Sequence, residues 1–276
     1  MIPKRKQGNK LKITVLAGGI SHERDISLKS GRRVADALTD FGAEVVIREP
    51  DNELLSNIKK DKPDVIFPCL HGASGEDGAL RDVLALSGVP FVGATASGSR
   101  LAWDKSIAKV LVSRDGIQTP ASITLPKDTF RELDAEGVLK AVTGSISLPV
   151  VVKPARSGSA QGVSIVKTQN ELNRAMIDAY VYCDVAIIEK YIEGVELAIS
   201  VIDLGAGPIA LPAVEIEPRD GKYGYHERYI AGEANFYVPA RVKPAVNEDA
   251  AKIAIKAHEI LGLRHLSRID MIVDKK

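Results

Sequence analysis

Cysteine is scarce in this chain of 276 residues, and an excess of either charge is missing altogether. The two cysteines, Cys69 and Cys183, stand far apart. They form neither a disulfide framework nor a zinc motif, which fits a reducing compartment. Lys and Arg number 37 against 36 Asp and Glu, so the chain lacks the basic footprint that a nucleic-acid partner selects. Long apolar runs are absent as well. Val150–Val152 and Ala186–Ile188 fall far short of the roughly 18 residues a membrane span needs. The basic start, Met1–Lys10, leads into no sustained apolar stretch. It reads as a solvated tail rather than a signal peptide, and a cytoplasmic protein without a membrane anchor is expected. Several catalytic signatures are also lacking: no GxxxxGK[ST], HExxH, GxSxG or GxGxxG occurs.

With 45% hydrophobic and 26% charged residues, the composition is that of an ordinary globular chain. Apolar runs alternate with helix-like stretches. Strands are expected at Ile13–Leu16, Val45–Ile47 and Val65–Phe67. Helices are expected between them at Ser27–Phe41, closed by Gly42, and at Leu54–Lys60. This β-α-β-α-β order predicts a parallel sheet covered by helices, with ligands gathering at the carboxyl ends of its strands. A further helix is predicted at Ala79–Leu86, then helices at Trp103–Arg114, Thr129–Val142, Leu172–Val181 and Asp249–Leu261. Strands are predicted at Val150–Lys153, Val163–Val166, Ala186–Tyr191, Glu196–Asp203, Pro208–Glu217 and Arg268–Val273, with a polar loop over Pro218–Glu233. The fold class is α/β and α+β in three segments: residues 1–95, 96–190 and 191–276.

Five segments carry chemistry. His71–Gly78 (HGASGEDG) follows the third strand and places an imidazole beside Glu76 and Asp77 at the start of a helix. Asp77 is accounted for as a helix-start residue; the His–Glu pair is not. Val151–Ser164 (VVKPARSGSAQGVS) puts Lys153 at a strand end before a small, flexible loop. Backbone N–H groups and hydroxyls can there approach a polyphosphate. Ile187–Glu196 (IIEKYIEGVE) offers strand backbone for a purine and a carboxylate for a ribose. The loop residues His226–Gly232 (HERYIAG) have the length of a binding lid. Leu266–Asp270 (LSRID) sets Arg268 and Asp270 on one side of a strand, an arrangement suited to phosphoryl transfer. Alone, the third segment is as well explained by solvated acidic residues, and the fifth is better explained by a cross-face ion pair.

Taken in order, these segments resemble the D-alanine–D-alanine ligases of the ATP-grasp superfamily, from about Lys12 to Asp274. The resemblance also includes Gly18-Gly19, the run Ser21–Leu28 (SHERDISL) and Asp104-Lys105. It implies an N-terminal α/β domain before two ATP-grasp subdomains. The activity implied is ligation of two D-alanines through an acyl phosphate, with ATP as substrate and Mg²⁺ or Mn²⁺ as the metal. Position by position, it implies that Glu23 holds the ammonium of the first D-alanine and that His71 and Glu76 line the same pocket. Lys105, Lys153 and Arg228 fall on ATP-phosphate contacts, and Arg228 stands where many relatives have lysine. Glu189, Lys190, Tyr191 and Ile192 fall on the adenine linker, and Glu196 on the ribose contact. Ser159 joins a hydrogen-bond chain with Glu23 and Tyr229, while Ala160 replaces a frequent second serine. Arg268 falls on the oxyanion-stabilising position and Asp270 on one of three metal ligands. A tyrosine at 229 goes with D-alanine as second substrate, and a homodimer is implied by analogy.

The resemblance departs at the end. Asp274-Lys275-Lys276 stands where the family continues into a strand bearing Glu-x-Asn, so Lys276 reads as a cut and the chain as a ligase lacking its last segment. An inactive fragment is one of the readings that follow. The other readings are a D-alanine–D-lactate or D-serine ligase and a non-catalytic nucleotide-binding relative.

Overall fold

A computed structural model describes residues 10–219, 224, 228–230 and 232–275. Residues 1–9 of the expected tail Met1–Lys10 lie outside these residues, as do His226, Glu227 and Ala231 of the lid motif. The chain divides into two compact units, Met1–Arg100 and Leu101–Lys276.

The first unit contains the predicted parallel sheet. Strands β1 (Lys12–Leu16), β2 (Glu44–Arg48) and β3 (Val65–Pro68) lie in the order β2-β1-β3, joined by helices α1 (Arg24–Asp40) and α2 (Leu54–Asp61). Central β1 is buried on both faces, as its apolar run requires. Ile13 and Val15 pack with Ala35 of α1, while Leu16 and Ile66 pack with Leu54 and Ile58 of α2 and Leu84 of α4 (Ala79–Leu86). A four-residue helix, α3 (Ala73–Glu76), occupies the turn expected within HGASGEDG.

Two antiparallel sheets make up the second unit. The first has the order β4-β7-β5-β6: β4 (Ser122–Pro126), β5 (Val150–Pro154), β6 (Ser164–Val166) and β7 (Val185–Lys190). The other runs β11-β10-β8-β12, with β9 (Pro208–Ala210) beside β8 (Gly194–Asp203). Its remaining strands are β10 (Val214–Pro218), β11 (Ala234–Tyr237) and β12 (Leu266–Asp274). Both sheets bury one face. Val150, Val152, Ala186 and Ile188 pack against Leu139 of α8 (Ala135–Ser145) and Leu172 and Met176 of α9 (Gln169–Tyr180). Leu197, Ile199, Val201, Ile269 and Met271 pack against Ala250 and Ala254 of α10 (Pro244–Ile260).

Several boundaries differ from the periodicity. Trp103 ends α5 (Ala96–Trp103), a helix that was not expected, and the helix expected at Trp103–Arg114 begins instead as α6 (Lys105–Arg114), because Asp104 has extended backbone and its carboxylate accepts the N–H groups of Ser106 and Ile107. That is an N-cap, which starts a new helix. Asp134 likewise caps α8, dividing the stretch expected over Thr129–Val142 and leaving α7 (Lys127–Glu132) separate. The strand expected at Pro208–Glu217 breaks at Leu211–Ala213, where Pro212 has no N–H to give to a ladder. Helix α10 starts earlier than Asp249, with Pro244 in its first turn.

Gly31 of α1 lies against β1, and a Cβ there would overlap the Cβ of Ala17. Helix propensity favours alanine over glycine by about 1 kcal/mol. Overpacking costs more, about 1–3 kcal/mol. Gly31→Ala is therefore expected to destabilise the first unit in urea unfolding. Equal or greater stability would refute the close helix–strand approach.

Candidate active site

In the first unit, two loops leave the carboxyl ends of adjacent strands β1 and β3. They are tied together by Ser27, whose hydroxyl accepts the Gly18 N–H and donates to the Cys69 carbonyl, both at 2.8 Å. Burial raises the Cys69 thiol to about 11, so it packs as a neutral group. Glu23 precedes α1 and is 4% exposed. Its N–H donates to Ser21 Oγ at 3.2 Å, and that hydroxyl donates to the His71 carbonyl at 2.8 Å. Ser30 Oγ meets His71 Nε2 at 3.1 Å. Glu76 Oε2 accepts the Gly72 N–H at 3.2 Å. Gly72 has φ 74°, and a Cβ there would come within 2.7 Å of Glu23 Oε2. A glycine is what lets this loop approach the buried carboxylate. Glu23, His71 and Glu76 are thereby brought into one cluster, with Ser21, Ser30 and Gly72 as its supports. Ser30 carries no signal in the sequence beyond lying two turns along α1 from Glu23.

The second unit holds a cationic cluster of its own. Lys153 and Glu189 face away from the helix-covered core, because Val152 and Ile188 are paired across β5 and β7 with their side chains toward it. Glu189 Oε1 accepts from Lys153, and Oε2 accepts from Lys109 of α6 at 2.9 Å. Burial pushes the Glu189 carboxyl up, but the Lys153 and Lys109 ammonium groups outweigh this and hold it below the ordinary carboxylate range. Lys109 was not among the residues the motifs singled out. Its only sequence signal is its place four residues after Lys105, on the same helix face. Lys105 donates its N–H to Ala155 O at 2.9 Å and its ammonium to Ser157 O at 2.6 Å. Lys105 and Lys153 thus both stand at the root of the loop 155–162. Ser159 and Ala160 in that loop have φ of 51° and 57°, a conformation rare without glycine. Ser159 Oγ and the Tyr229 hydroxyl hydrogen-bond each other.

The linker after β7 uses its backbone. Lys190 N–H donates to Ala121 O at 2.9 Å, and Tyr191 N–H to Pro149 O at 3.2 Å. The Lys190 ammonium turns to Ser147, at 2.8 Å from its carbonyl and 3.0 Å from its hydroxyl. Tyr191 and Ile192 are half-buried before β8. On the second sheet, the pairs Arg268–Ser200, Asp270–Ala198 and Ile272–Glu196 put Glu196, Arg268 and Asp270 on the face opposite α10. Arg268 holds Asp270 through two parallel bonds of 2.8 and 3.0 Å. Burial pushes the Glu196 carboxyl up to about 7. The Asp270 carboxylate adds to this rise, while Arg228 and Arg268 oppose it. Among the described residues, no three His, Cys, Asp or Glu side chains gather as a metal group. The donor chemistry nonetheless fits the edge of a Mg²⁺ site. Asp270 offers exposed hard oxygens, and Mg²⁺ takes one or two carboxylates plus phosphate oxygens and water.

Removing a charge from a buried ion cluster leaves its partners uncompensated, at a cost of about 3–5 kcal/mol. Glu189→Gln is expected to lower stability by that amount near neutral pH. Because the folded carboxyl titrates below its ordinary value, its contribution is present above the usual carboxylate range and is lost as pH falls through the folded value. The difference between the two proteins in thermal unfolding should shrink below about pH 4. A difference that is independent of pH would refute the assigned charge state.

The chain matches the family model for the D-ala D-ala ligase N-terminus over residues 46–94 and that for the D-ala D-ala ligase C-terminus over 111–276. It is 36% identical to a D-alanine–D-alanine ligase of Desulforudis audaxviator, covering 95% of this chain and 84% of that protein. It is also 36% identical to D-alanine–D-alanine ligase B of Chromobacterium violaceum, covering 96% and 83%. Among solved structures, the VanG D-Ala:D-Ser ligase of Enterococcus faecalis aligns with a TM-score of 0.80 at 28% identity, over 97% of this chain and 87% of that one. The D-alanine–D-alanine ligase of Bacillus anthracis complexed with ATP aligns with a TM-score of 0.77 at 26% identity, over 96% and 82%. Matches of this extent place the chain in the D-alanine–D-alanine ligase family of ATP-grasp enzymes.

Proposed function

We propose that this chain joins two D-alanines into D-alanyl-D-alanine at the expense of ATP, supplying a dipeptide for peptidoglycan. The observation that carries the reading is the placing of Lys105 and Lys153 at the root of a small, positive-φ loop whose Ser159 meets Tyr229. Such a loop suits a polyphosphate, with cations at its base and N–H groups along it.

A carboxylate is a poor acyl donor, and phosphorylation gives it a leaving group. In the first step a D-alanine carboxylate oxygen bonds to the γ-phosphorus and the bond to the β-phosphate oxygen breaks, releasing ADP. In the second, the amine of another D-alanine attacks the acyl carbon and gives up a proton, and the carbon–oxygen bond to phosphate breaks. Glu23 is assigned the ammonium of the first D-alanine, in the pocket it shares with His71 and Glu76. Lys105, Lys153 and Arg228 are assigned the phosphates. The backbone of the linker Glu189–Ile192 takes the adenine, so Lys190 contributes main-chain groups while its ammonium stays on Ser147. Glu196 takes the ribose. Arg268 is assigned the oxyanion and the transferred phosphoryl group. Asp270 would hold Mg²⁺ or Mn²⁺, which when bound supplies neutralising charge at the phosphate oxygens. Positioning and charge compensation then do most of the catalytic work. Residues 96–190 and 191–276 are read as two ATP-grasp subdomains, one for each sheet of the second unit. A cytoplasmic location and a homodimer complete the proposal; no helix among the described residues is long and apolar enough to cross a membrane.

The choice of acceptor turns on Tyr229. The Enterococcus faecalis relative is named a D-Ala:D-Ser ligase, whereas a tyrosine at this position goes with D-alanine. Phosphate release from ATP is expected to require D-alanine and to yield D-alanyl-D-alanine. D-serine and D-lactate should serve poorly near neutral pH. Arg268→Ala is expected to lower the rate by about 100-fold or more, the effect of losing one donor to a developing oxyanion. Efficient D-lactate or D-serine incorporation would overturn the acceptor assignment. Phosphate release indifferent to D-alanine would overturn the reaction.

A further inference from the structure

Lys109 belongs to none of the contacts assigned above to nucleotide, metal or amino acid. It follows Lys105 by one turn of α6. Its ammonium is anchored at two acceptors, Pro120 O and Glu189 Oε2, both at 2.9 Å. Lys153 takes the other carboxylate oxygen. One carboxylate therefore serves two lysines through separate oxygens. Enclosure differs along the cluster: the Glu189 side chain is 10% exposed, Lys109 16% and Lys153 22%. The lysine with most room to turn is the one at the strand end before the loop 155–162.

A polyphosphate bound at that loop would compete with Glu189 for the Lys153 ammonium. A carboxylate as enclosed as Glu189 needs a cation of its own. If Lys153 were its sole partner, every bond Lys153 gave to phosphate would weaken the compensation of Glu189, and Glu189 would draw Lys153 back. We infer that Lys109 is a positioning residue, the resident counter-ion of Glu189, which frees Lys153 to serve the nucleotide phosphates. Its second bond, to a backbone carbonyl, keeps it in place while Lys153 moves. Two lysines against one carboxylate also leave the cluster one positive charge, the sign that a polyphosphate selects. The inference rests on the nucleotide reading of this site and adds a residue that acts through Lys153 without touching the ligand.

The test is a double-mutant cycle read by ADP and ATP affinity in equilibrium dialysis, with thermal unfolding of each variant as a check on folding. Lys109→Met is expected to weaken nucleotide binding by on the order of tenfold. Lys109→Arg, which keeps the charge, should retain most of the affinity. In a Glu189→Gln protein there is no carboxylate left to compensate, so adding Lys109→Met should cost little more. ATP turnover should show the loss in KM for ATP, with KM for D-alanine nearly unchanged. Nucleotide affinity unaffected by Lys109→Met overturns the inference. So does an equal loss with and without Glu189, which would mean that Lys109 meets phosphate itself. If Lys109→Met does not fold, the Arg variant and the double variant still decide: a tenfold loss in Lys109→Arg, or a far weaker double variant than Glu189→Gln alone, overturns it. An unaltered protein that binds neither ADP nor ATP removes the nucleotide reading and this inference together. Binding by the unaltered protein that is abolished in Lys153→Met, combined with an additive cycle, removes the inference alone.

Discussion

Strict alternation of side chains along a strand is the constraint on which the second unit depends. Each of its sheets has one face covered by helices, so every second residue of β5, β7, β8 and β12 is committed to a core. Val150, Val152, Ala186 and Ile188 fill one core, and Leu197, Ile199, Ile269 and Met271 the other. The residues between them are left for chemistry: Lys153 and Glu189 on one sheet, Glu196, Arg268 and Asp270 on the other. A slip of one residue would bury these charges and expose the valines and isoleucines. Core packing therefore fixes the positions of the ionic groups far more firmly than the ionic contacts could by themselves.

The first unit solves a different problem. Its central strand is buried on both faces, so function is confined to the loops at the strand ends. These loops must come close enough to enclose a carboxylate. Gly72 permits this by the absence of a side chain, and Ser21, Ser27 and Ser30 hold the loops with hydrogen bonds. Short hydroxyl side chains suit such a task, since they satisfy backbone groups at little cost in side-chain entropy.

Much of this was legible before any coordinates. Period-two and helical patterns located most strands and the longer helices, and the glycine-bearing turns fell at strand ends as expected. The breaks that periodicity missed, at Asp104 and Asp134, come from a carboxylate accepting N–H groups within the next turn. An aspartate looks the same in a sequence whether it caps a helix or lies on its solvated face. β11 was missed because Ala234–Tyr237 is short and half-exposed, and it becomes a strand by pairing with β10.

The amino-acid sequence by itself determined the fold class, the order of the elements and the residue types at each site position, because local periodicity, turn chemistry and ordered motifs are properties of neighbouring residues. What only the tertiary structure decided is which charges share a partner. Lys109 and Glu189 are 80 residues apart, and no local pattern links them. They meet because β7 and β5 are paired in one register and α6 lies where its second lysine reaches the strand. Compensation of a buried charge is a matter of distances of a few ångströms, and those are set by packing, which couples residues with no regard to their separation along the chain.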